Sequence, residues 1–557
     1  MKHVIHALAA AALFAPCTHA HALSDEALVA IVDQRLAGDR TGACLAVAVV
    51  EKDAVARAFR CADPKEAARI GADSAFEIGS VSKTMTAVLL AELIGQGKAA
   101  LDDPLADWLP EGTAVPMFED QPILLRHVVT HTSGLPALPS RLGAADMDDP
   151  YANLTEEALL ASLGDVVPTR APGAQFEYSN FASMVLSFAV ARRAGSDMET
   201  LLRQRLFAPL GMAQAYIATP PAGVRTAIGH AATAKAVPAW RFATNLAGVG
   251  GVRATLQDMV RYVQGNLGLI ESPLFPSLER AQKQVGEQPP MAMNWMLVPI
   301  KGRVVHMHEG GTGGFSAFVA VDREAQRGVV ILSDTAWHSL GGLGSLGLHL
   351  VDASLPLGEA RRRQTPPQEL LDALVGEYQI EGAMRMTLTQ RDGALFAKPA
   401  GQPELALGYD SAGDFFPLEL DALLTPRKKA DGNYGFVWTQ MGAALPARRV
   451  ADDGMTAATP ALSDQELAAY AGDYALMPGV VLTVRDRAGR LHAQATGQGE
   501  FPLDAVGKER FEAVAYGIEI VFRRDDAGSV VALELHQGGQ VLHGARNRQA
   551  ASPPATH

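Results

Sequence analysis

Apolar side chains recur at helical spacing in several stretches before about residue 355, and at alternate positions in stretches beyond about residue 369. Residues 24–36 read as a helix. After Ser80, the positions Met85, Val88, Leu89 and Leu93 keep a helical interval, which puts Ser80 at a helix N-terminus. Phe181, Met184, Val185 and Phe188 share one face of a further helix that ends near Gly195. Ser196 and Glu199 have capping-box spacing, and Thr255 to Asp258, following the glycine-rich stretch 248–251, marks another capped start. A short helix over 124–131 is stopped by Gly134 and Pro136. Strands are expected at 45–50 and 54–59 around a Lys52-Asp53 turn, at 304–308, 318–321 and 328–333, with a closing helix over 342–353.

Residues 359–368 are charged and Pro-containing and read as a linker. Beyond them Met384, Met386 and Leu388 alternate with polar residues before an Asp392-Gly393 turn, and 530–535 do much the same. Landmarks repeat at one offset: Gly376-Glu-Tyr378 with Gly472-Asp-Tyr474, Gly401-Gln402 with Gly497-Gln498, Phe415 with Phe511. Two tandem antiparallel units follow, near 369–458 and 464–548. Two copies are too few for a solenoid, so each is expected to be a small barrel.

Composition changes this picture in three places. The formal net charge is −13 with no basic block, which argues against nucleic acid as the main partner. The chain opens with Lys2, an apolar run over 7–15 and Ala20-His21-Ala22, the layout of a secretory leader cleaved after residue 22. Pro16 stands before Cys17 where a lipoprotein needs a small residue, and no later apolar run is long enough to span a bilayer. The expected address is periplasmic or secreted, without stable membrane insertion. In that oxidising setting Cys44 faces Cys61 across the predicted hairpin, at a closely spaced non-hydrogen-bonded position. A disulfide and a pair of buried thiols both fit. Nothing in the sequence indicates an oligomeric state.

The chemistry centres on Ser80-Val-Ser-Lys83, the one S-x-x-K in the chain. Both side chains fall on one helix face, one turn apart. A serine hydroxyl needs a neighbouring base to act as a nucleophile, and a lysine whose pKa is lowered can help. Partners follow downstream. Tyr178-Ser-Asn180 offers a phenol, expected as a phenolate that carries the serine proton, and an amide to bind substrate. His308-Glu-Gly310-Gly311 offers an imidazole on a strand, then small residues whose edge a substrate can lie along. A second Y-x-N, Tyr151-Ala-Asn153, lacks the preceding Gly-x-x-Phe and reads as a surface loop. His127 and His131 read as structural histidines. His306 and His308 share a strand face, but no third ligand has metal spacing, so no metal and no other cofactor is expected. The absence of G-x-S-x-G argues against an α/β-hydrolase.

S-x-x-K, Y-x-N and H-x-G in this order resemble the serine penicillin-recognising enzymes, the family of class C β-lactamases, D,D-carboxypeptidases, related esterases and D-aminopeptidases. Flanking text agrees over roughly 25–355, including 125–136, 209–212 and 310–315. The resemblance implies an α+β β-lactamase/transpeptidase-like domain over 23–358, an antiparallel sheet flanked by helices. It implies that two lipocalin-like all-β barrels over 369–458 and 459–548 follow the linker, before a tail over 549–557. It implies Ser80 as acylated nucleophile, Lys83 and Tyr178 sharing general-base and general-acid work, Asn180, His308 and Gly310 binding substrate, and the Ser80 and Gly311 N–H groups as oxyanion hole. The substrate would be a small molecule or short peptide. His308 stands where β-lactamases carry lysine, so a fixed cation for a substrate carboxylate is missing, and Glu309 is expected to repel such a group. An esterase or D-amino-acid peptidase therefore fits better than a β-lactamase. The barrels would act as a lid through the 496–499 and 516–517 turns, or as spacers. The rival from another class is a catalytically inactive penicillin-binding or scaffold protein whose barrels hold a partner.

Overall fold

A computed structural model describes residues 22–547 apart from 143–148, 232–233, 288, 381–383, 401, 419–421, 429–433, 441–442, 451–462, 478–479, 488, 496–500, 506–507, 514–517, 526–527 and 538–539. The expected leader, the tail and the two turns at 496–499 and 516–517 lie outside the described residues.

An eight-stranded antiparallel sheet organises the first part of the chain. Its order is Gly286–Glu287, Pro290–Met291, Met296–Ile300, Arg303–Gly311, Ser316–Asp322, Arg327–Ser333, Cys44–Glu51, Ala54–Cys61. The unbroken apolar run of the Cys44–Glu51 strand has a simple cause. Ala46, Ala48 and Val50 pack under one face with the main helical core, while Leu45, Val47 and Val49 pack on the other. A strand covered on both sides needs no polar alternation. The second face is closed by Asp25–Leu36, capped by Ser24, and by Gly344–Val351. Cys44 sits opposite Cys61 in the hairpin register, and the two sulfurs are bonded.

The helix Ser82–Gly95 departs from its one-faced expectation. Every residue from Ser82 to Ala91 is buried. It runs through the interior beside Asn180–Ala194 and Phe275–Ala281, so Lys83 has no route to bulk water along its own helix. The box at Thr255–Asp258 forms as read. At 196–199 the cap moves by one residue: Asp197 accepts the Thr200 N–H, and Glu199 instead accepts the Ile217 and Ala218 N–H groups.

A β-barrel and a half-barrel follow. The first nine-stranded sheet runs Arg363–Gln364, Leu405–Asp410, Ala394–Pro399, Arg385–Arg391, Gly376–Ile380, Ala443–Arg449, Tyr434–Gln440, Ala422–Lys428, Phe415–Pro417, and a further pairing of Leu405–Asp410 with Phe415–Pro417 closes it. The second sheet repeats the order of the eight strands that follow Arg363–Gln364 and ends on Asp504–Ala505, without a closing pairing among the described residues. The repeat is visible in side chains. Tyr378 donates to Leu374 O and Tyr474 to Tyr470 O, and each ring lies under an arginine, Arg449 and Arg546, paired with it across strands.

The stretch 359–368 is not a free tether. Arg363–Gln364 joins the barrel sheet, and Arg361 pairs with Asp410 and Asp414. Asp410 also takes Arg40 of the first unit at 2.9 Å, with side chains 0% and 2% exposed. Arg40 in turn lies over the Phe416 ring. Among the described residues no helix is long and apolar enough to cross a membrane.

Candidate active site

Ser80 lies in a single 3-10 turn, Gly79–Val81, between the strand Ser74–Glu77 and the buried helix. Gly79 has φ +50°, and a Cβ there would stand 2.5 Å from the Gly311 nitrogen. A Cβ at Gly310 would meet the Ile78 oxygen at 2.0 Å and the Ser80 nitrogen at 3.1 Å. The strand edge and the serine turn therefore touch backbone to backbone, which only glycine permits. The Ser80 N–H, in the first turn of a helical segment, has no intrahelical carbonyl to bond.

Lys83 is 1% exposed, and its Nζ has three neighbours: Ser80 Oγ at 2.8 Å, Asn180 Oδ1 at 2.8 Å and Val249 O at 2.9 Å. Burial drives its pKa well below the usual lysine value. In the neutral amine two N–H groups go to the two carbonyl oxygens, and the lone pair is left for the Ser80 hydroxyl proton. Val249 comes from the turn Thr244–Val249, and Asn180 from the first position of the helix capped by Ser179.

Tyr178 is hydrogen-bonded to Ser80, and burial raises its pKa. It is a phenol at neutral pH, which corrects the expected phenolate: nothing cationic near it offsets the loss of water, because Lys83 is itself pushed toward the neutral form. Beneath the ring lies His131, stacked at 4.3 Å between centroids. Its Nδ1 accepts the Ser179 N–H, so Nε2 carries the proton. Burial, Lys83 and His308 all lower its pKa.

His308 is 1% exposed and gives its Nδ1–H to the Glu309 carbonyl at 2.6 Å. Its pKa is lowered to about 4 by burial, then by Lys83. It is neutral at pH 7 and offers no cation. Glu309 borders the cavity, but its carboxylate is committed elsewhere, contrary to expectation. Strand alternation turns its carboxylate to the opposite face, where Oε1 accepts the Leu343 N–H at 2.8 Å beside the start of Gly344–Val351. His306 does not join His308 as a ligand, since its Nε2 meets Gln282 O. Among the described residues no group of three or more His, Cys, Asp or Glu could hold a metal ion.

Tyr151 is 3% exposed, which overturns its reading as a surface loop. It stacks on Phe242, meets Trp240 edge-on, and its hydroxyl accepts from Asn180 Nδ2 at 3.5 Å. The Phe242 and Trp240 rings that bury it lie some ninety residues away in the chain, beyond reach of local pattern.

Ser80, Tyr178, Asn180, His308, Gly310 and Gly311 open into one cavity of about 590 Å³. Its walls include Phe176, Val237, Trp240, Met296 and Trp337 from the first unit, and Met384, Met386, Leu405 and Trp438 from the barrel.

The Beta-lactamase family model matches residues 28–337. The chain belongs to the Beta-lactamase family. A domain of unknown function, DUF3471, matches 456–546. Among family relatives, the D-alanyl-D-alanine-carboxypeptidase/endopeptidase AmpH of Escherichia coli (strain K12) is 30% identical over 306 residues, 51% of this chain and 78% of the relative. Esterase EstB of Burkholderia gladioli is 26% identical over 57% of this chain and 91% of the relative. Of solved family structures, a beta-lactamase/D-alanine carboxypeptidase from Yersinia pestis is 26% identical with a TM-score of 0.46, covering 55% of this chain and 92% of that one. The relatives are hydrolases. The curated relatives span carboxypeptidase, esterase and β-lactamase, so family membership leaves the substrate open.

Proposed function

We propose that the protein is a serine hydrolase, secreted or periplasmic, that passes through a Ser80 acyl-enzyme on a small neutral ester, amide or D-amino-acid-containing peptide. The observation that carries this is the Lys83 amine, buried with two carbonyl acceptors and the Ser80 hydroxyl as its only three hydrogen-bond neighbours in the described structure. Ser80 Oγ attacks the carbonyl carbon and its proton passes to Lys83 Nζ. The oxyanion meets the Ser80 and Gly311 N–H groups. The bond to the leaving group breaks, the leaving group takes a proton through Tyr178 and Lys83, and an ester on Ser80 remains. Water then attacks that ester, the acid departs and the hydroxyl is restored. Asn180 holds both Lys83 and the substrate amide.

Neutral substrates fit better than penicillins because His308 is uncharged and no Lys or Arg is among the described cavity-lining residues. With Glu309 turned away, His308→Lys alone should raise activity on a β-lactam carboxylate. The disulfide supports an oxidising compartment.

The test is incubation with a fluorophosphonate and with a penicillin, followed by intact mass, beside a panel of p-nitrophenyl esters, D-amino-acid amides and β-lactams. An adduct that disappears in Ser80→Ala is expected. No adduct on Ser80 under any condition would leave the inactive binding reading standing. Fast hydrolysis of a cephalosporin by the wild type would overturn the substrate class.

A further inference from the structure

The barrel does more than adjoin the cavity. Its strands give the cavity their ends, and those ends all belong to one mouth. Met386 is the second residue of its strand and pairs with Pro399, the last residue of the next. Leu405 begins the following strand. Trp438 stands near the end of Tyr434–Gln440, opposite Leu445 at the start of Ala443–Arg449. Met386, Leu405 and Trp438 belong at once to the barrel's own core and to the cavity that holds Ser80. At the opposite end the helix Gln368–Leu374 seals the barrel, with Leu371 and Leu374 buried in the same core. The unit is therefore a cup, closed by a helix, whose mouth opens onto the serine.

The rim fixes the chemistry of what enters. Among its described residues the barrel's polar groups in the lining are neutral: Gln402, Thr439 and Gln440. Gln440 Oε1 already accepts the Trp438 indole N–H at 3.0 Å, and the Gln402 side-chain Nε2 makes a weak contact to the Met384 sulfur at 3.8 Å. The single carboxylate of the described lining is Glu309, committed to Leu343 on the far side of its strand. The clamp of Arg40, Arg361, Asp410 and Asp414 ties the cup to the first unit, and none of its four charges is among the described cavity-lining residues.

We infer that the mouth of the first barrel is a substrate subsite that takes an uncharged apolar group, an alkyl or aryl chain attached to the carbonyl or to the leaving group that Ser80 attacks. This rests on the hydrolase reading above, and its test separates the two. In full-length Ser80→Ala protein, the neutral probe N-phenyl-1-naphthylamine should bind with enhanced fluorescence and be displaced by p-nitrophenyl octanoate. Met384→Glu at the half-buried rim, and Ala444→Glu at an exposed position that cannot disturb the core, should each weaken the probe by tenfold or more. In the wild type, kcat/KM over acyl-length and alcohol-length ester series should rise about threefold to fourfold per methylene in at least one series until the mouth is filled, and Ala444→Glu should flatten that rise. Turnover with flat profiles in both series and no probe binding would sink the subsite and spare the hydrolase. Probe binding weakened by both variants, without turnover of any ester, would keep the subsite and sink the hydrolase. Probe binding indifferent to both variants would place the probe elsewhere and overturn the inference.

Discussion

Below the cavity, the side chains around Ser80 are fastened to specific partners. Lys83 is tied to two carbonyls, His131 to the Ser179 N–H, His308 to the Glu309 carbonyl, and Tyr178 to Ser80. Above it, the wall is Met384, Met386, Leu405 and Trp438, held mainly by packing, with the Trp438 indole N–H on Gln440 as its one short hydrogen bond among the described residues. A floor of this kind suits proton transfer, which needs atoms at set distances. A roof of flexible methionines suits a range of apolar shapes. The half-barrel shows that the repeated unit does not by itself make a roof. It carries the same tyrosine–arginine pair, but where the barrel has Trp438 opposite Leu445 it has Leu535 opposite Leu542, and its ion pairs Arg523–Glu534 and Arg524–Glu509 stay within the unit. What sets the first unit apart is its clamp to Arg40, which lies outside the repeated core, and the identity of the core residues that stand at its mouth, such as Trp438.

The largest effect should come from the floor. Lys83→Ala removes the group that faces the Ser80 proton and should lower kcat on a short ester by about 10²–10⁴. Tyr178→Phe should fall in the same range with the fold intact. In the proposed mechanism the neutral amine is the working form, so kcat/KM should climb with pH through a lysine pKa depressed by burial and be level well below the usual 10.5. A steady-state pH profile checks this. An ascending limb near 10.5, or a loss under tenfold in Lys83→Ala, would mean that the floor is not the engine.

Much of the floor could be read along the chain, because its parts are local patterns: S-x-x-K at a helix start, Y-x-N before a helix, H-x-G on a strand. The sheet strands and the repeated β-units were equally readable from alternation and offset. The roof was not. Met386 and Trp438 look like ordinary inward positions of a barrel, and only docking makes them part of a cavity. Tyr151 fails for a related cause, since its burial depends on Trp240 and Phe242. The charge states of Tyr178 and Lys83 follow from depth, which the one-faced look of the Ser82–Gly95 helix concealed.

The clamp comes next. Asp410→Ala leaves Arg40 buried without its carboxylate, a change that costs about 3–5 kcal/mol for comparable buried pairs. Urea denaturation should resolve this as early loss of the barrel, with KM for longer esters rising before kcat for acetate moves. If stability shifts by less than about 1 kcal/mol, the barrel is held by apolar packing and the clamp is incidental.

A somewhat smaller effect lies in acid. His308 is neutral and buried, with a folded pKa of about 4 against 6.5. As pH falls below about 6.5 the unfolded chain takes the proton first, so stability drops until about pH 4 and then levels. The shift corresponds to roughly 3 kcal/mol for this one group. His127, also lowered to about 4, and His131 act in the same direction. Chemical denaturation at pH 7, 5.5 and 4 should therefore show a slope that His308→Asn reduces without abolishing. An unchanged slope in that variant would mean that His308 is reached by water in the folded state.

The smallest effect tests where the floor ends. Tyr151 touches neither Ser80 nor Lys83, but its hydroxyl accepts from Asn180 Nδ2 at 3.5 Å, and Asn180 Oδ1 holds Lys83 at 2.8 Å. The amide thus has one end on the base and the other on a phenol whose pKa burial pushes to about 12, so it stays protonated throughout the working range. Tyr151→Phe keeps the stacking on Phe242 and removes only this long hydrogen bond. A contact at that distance is weak, so the expected loss is about twofold to fivefold, within about 1 kcal/mol. It should fall on kcat more than on KM if the amide aims Lys83, and on KM more than kcat if it aims the substrate. Tyr151→Ala would also open the wall beside Trp240 and so cannot separate these. A Tyr151→Phe defect as large as that of Tyr178→Phe would mean that the second tyrosine carries the proton, and the division between an aimed floor and its packed surroundings would have to be drawn one residue layer further out.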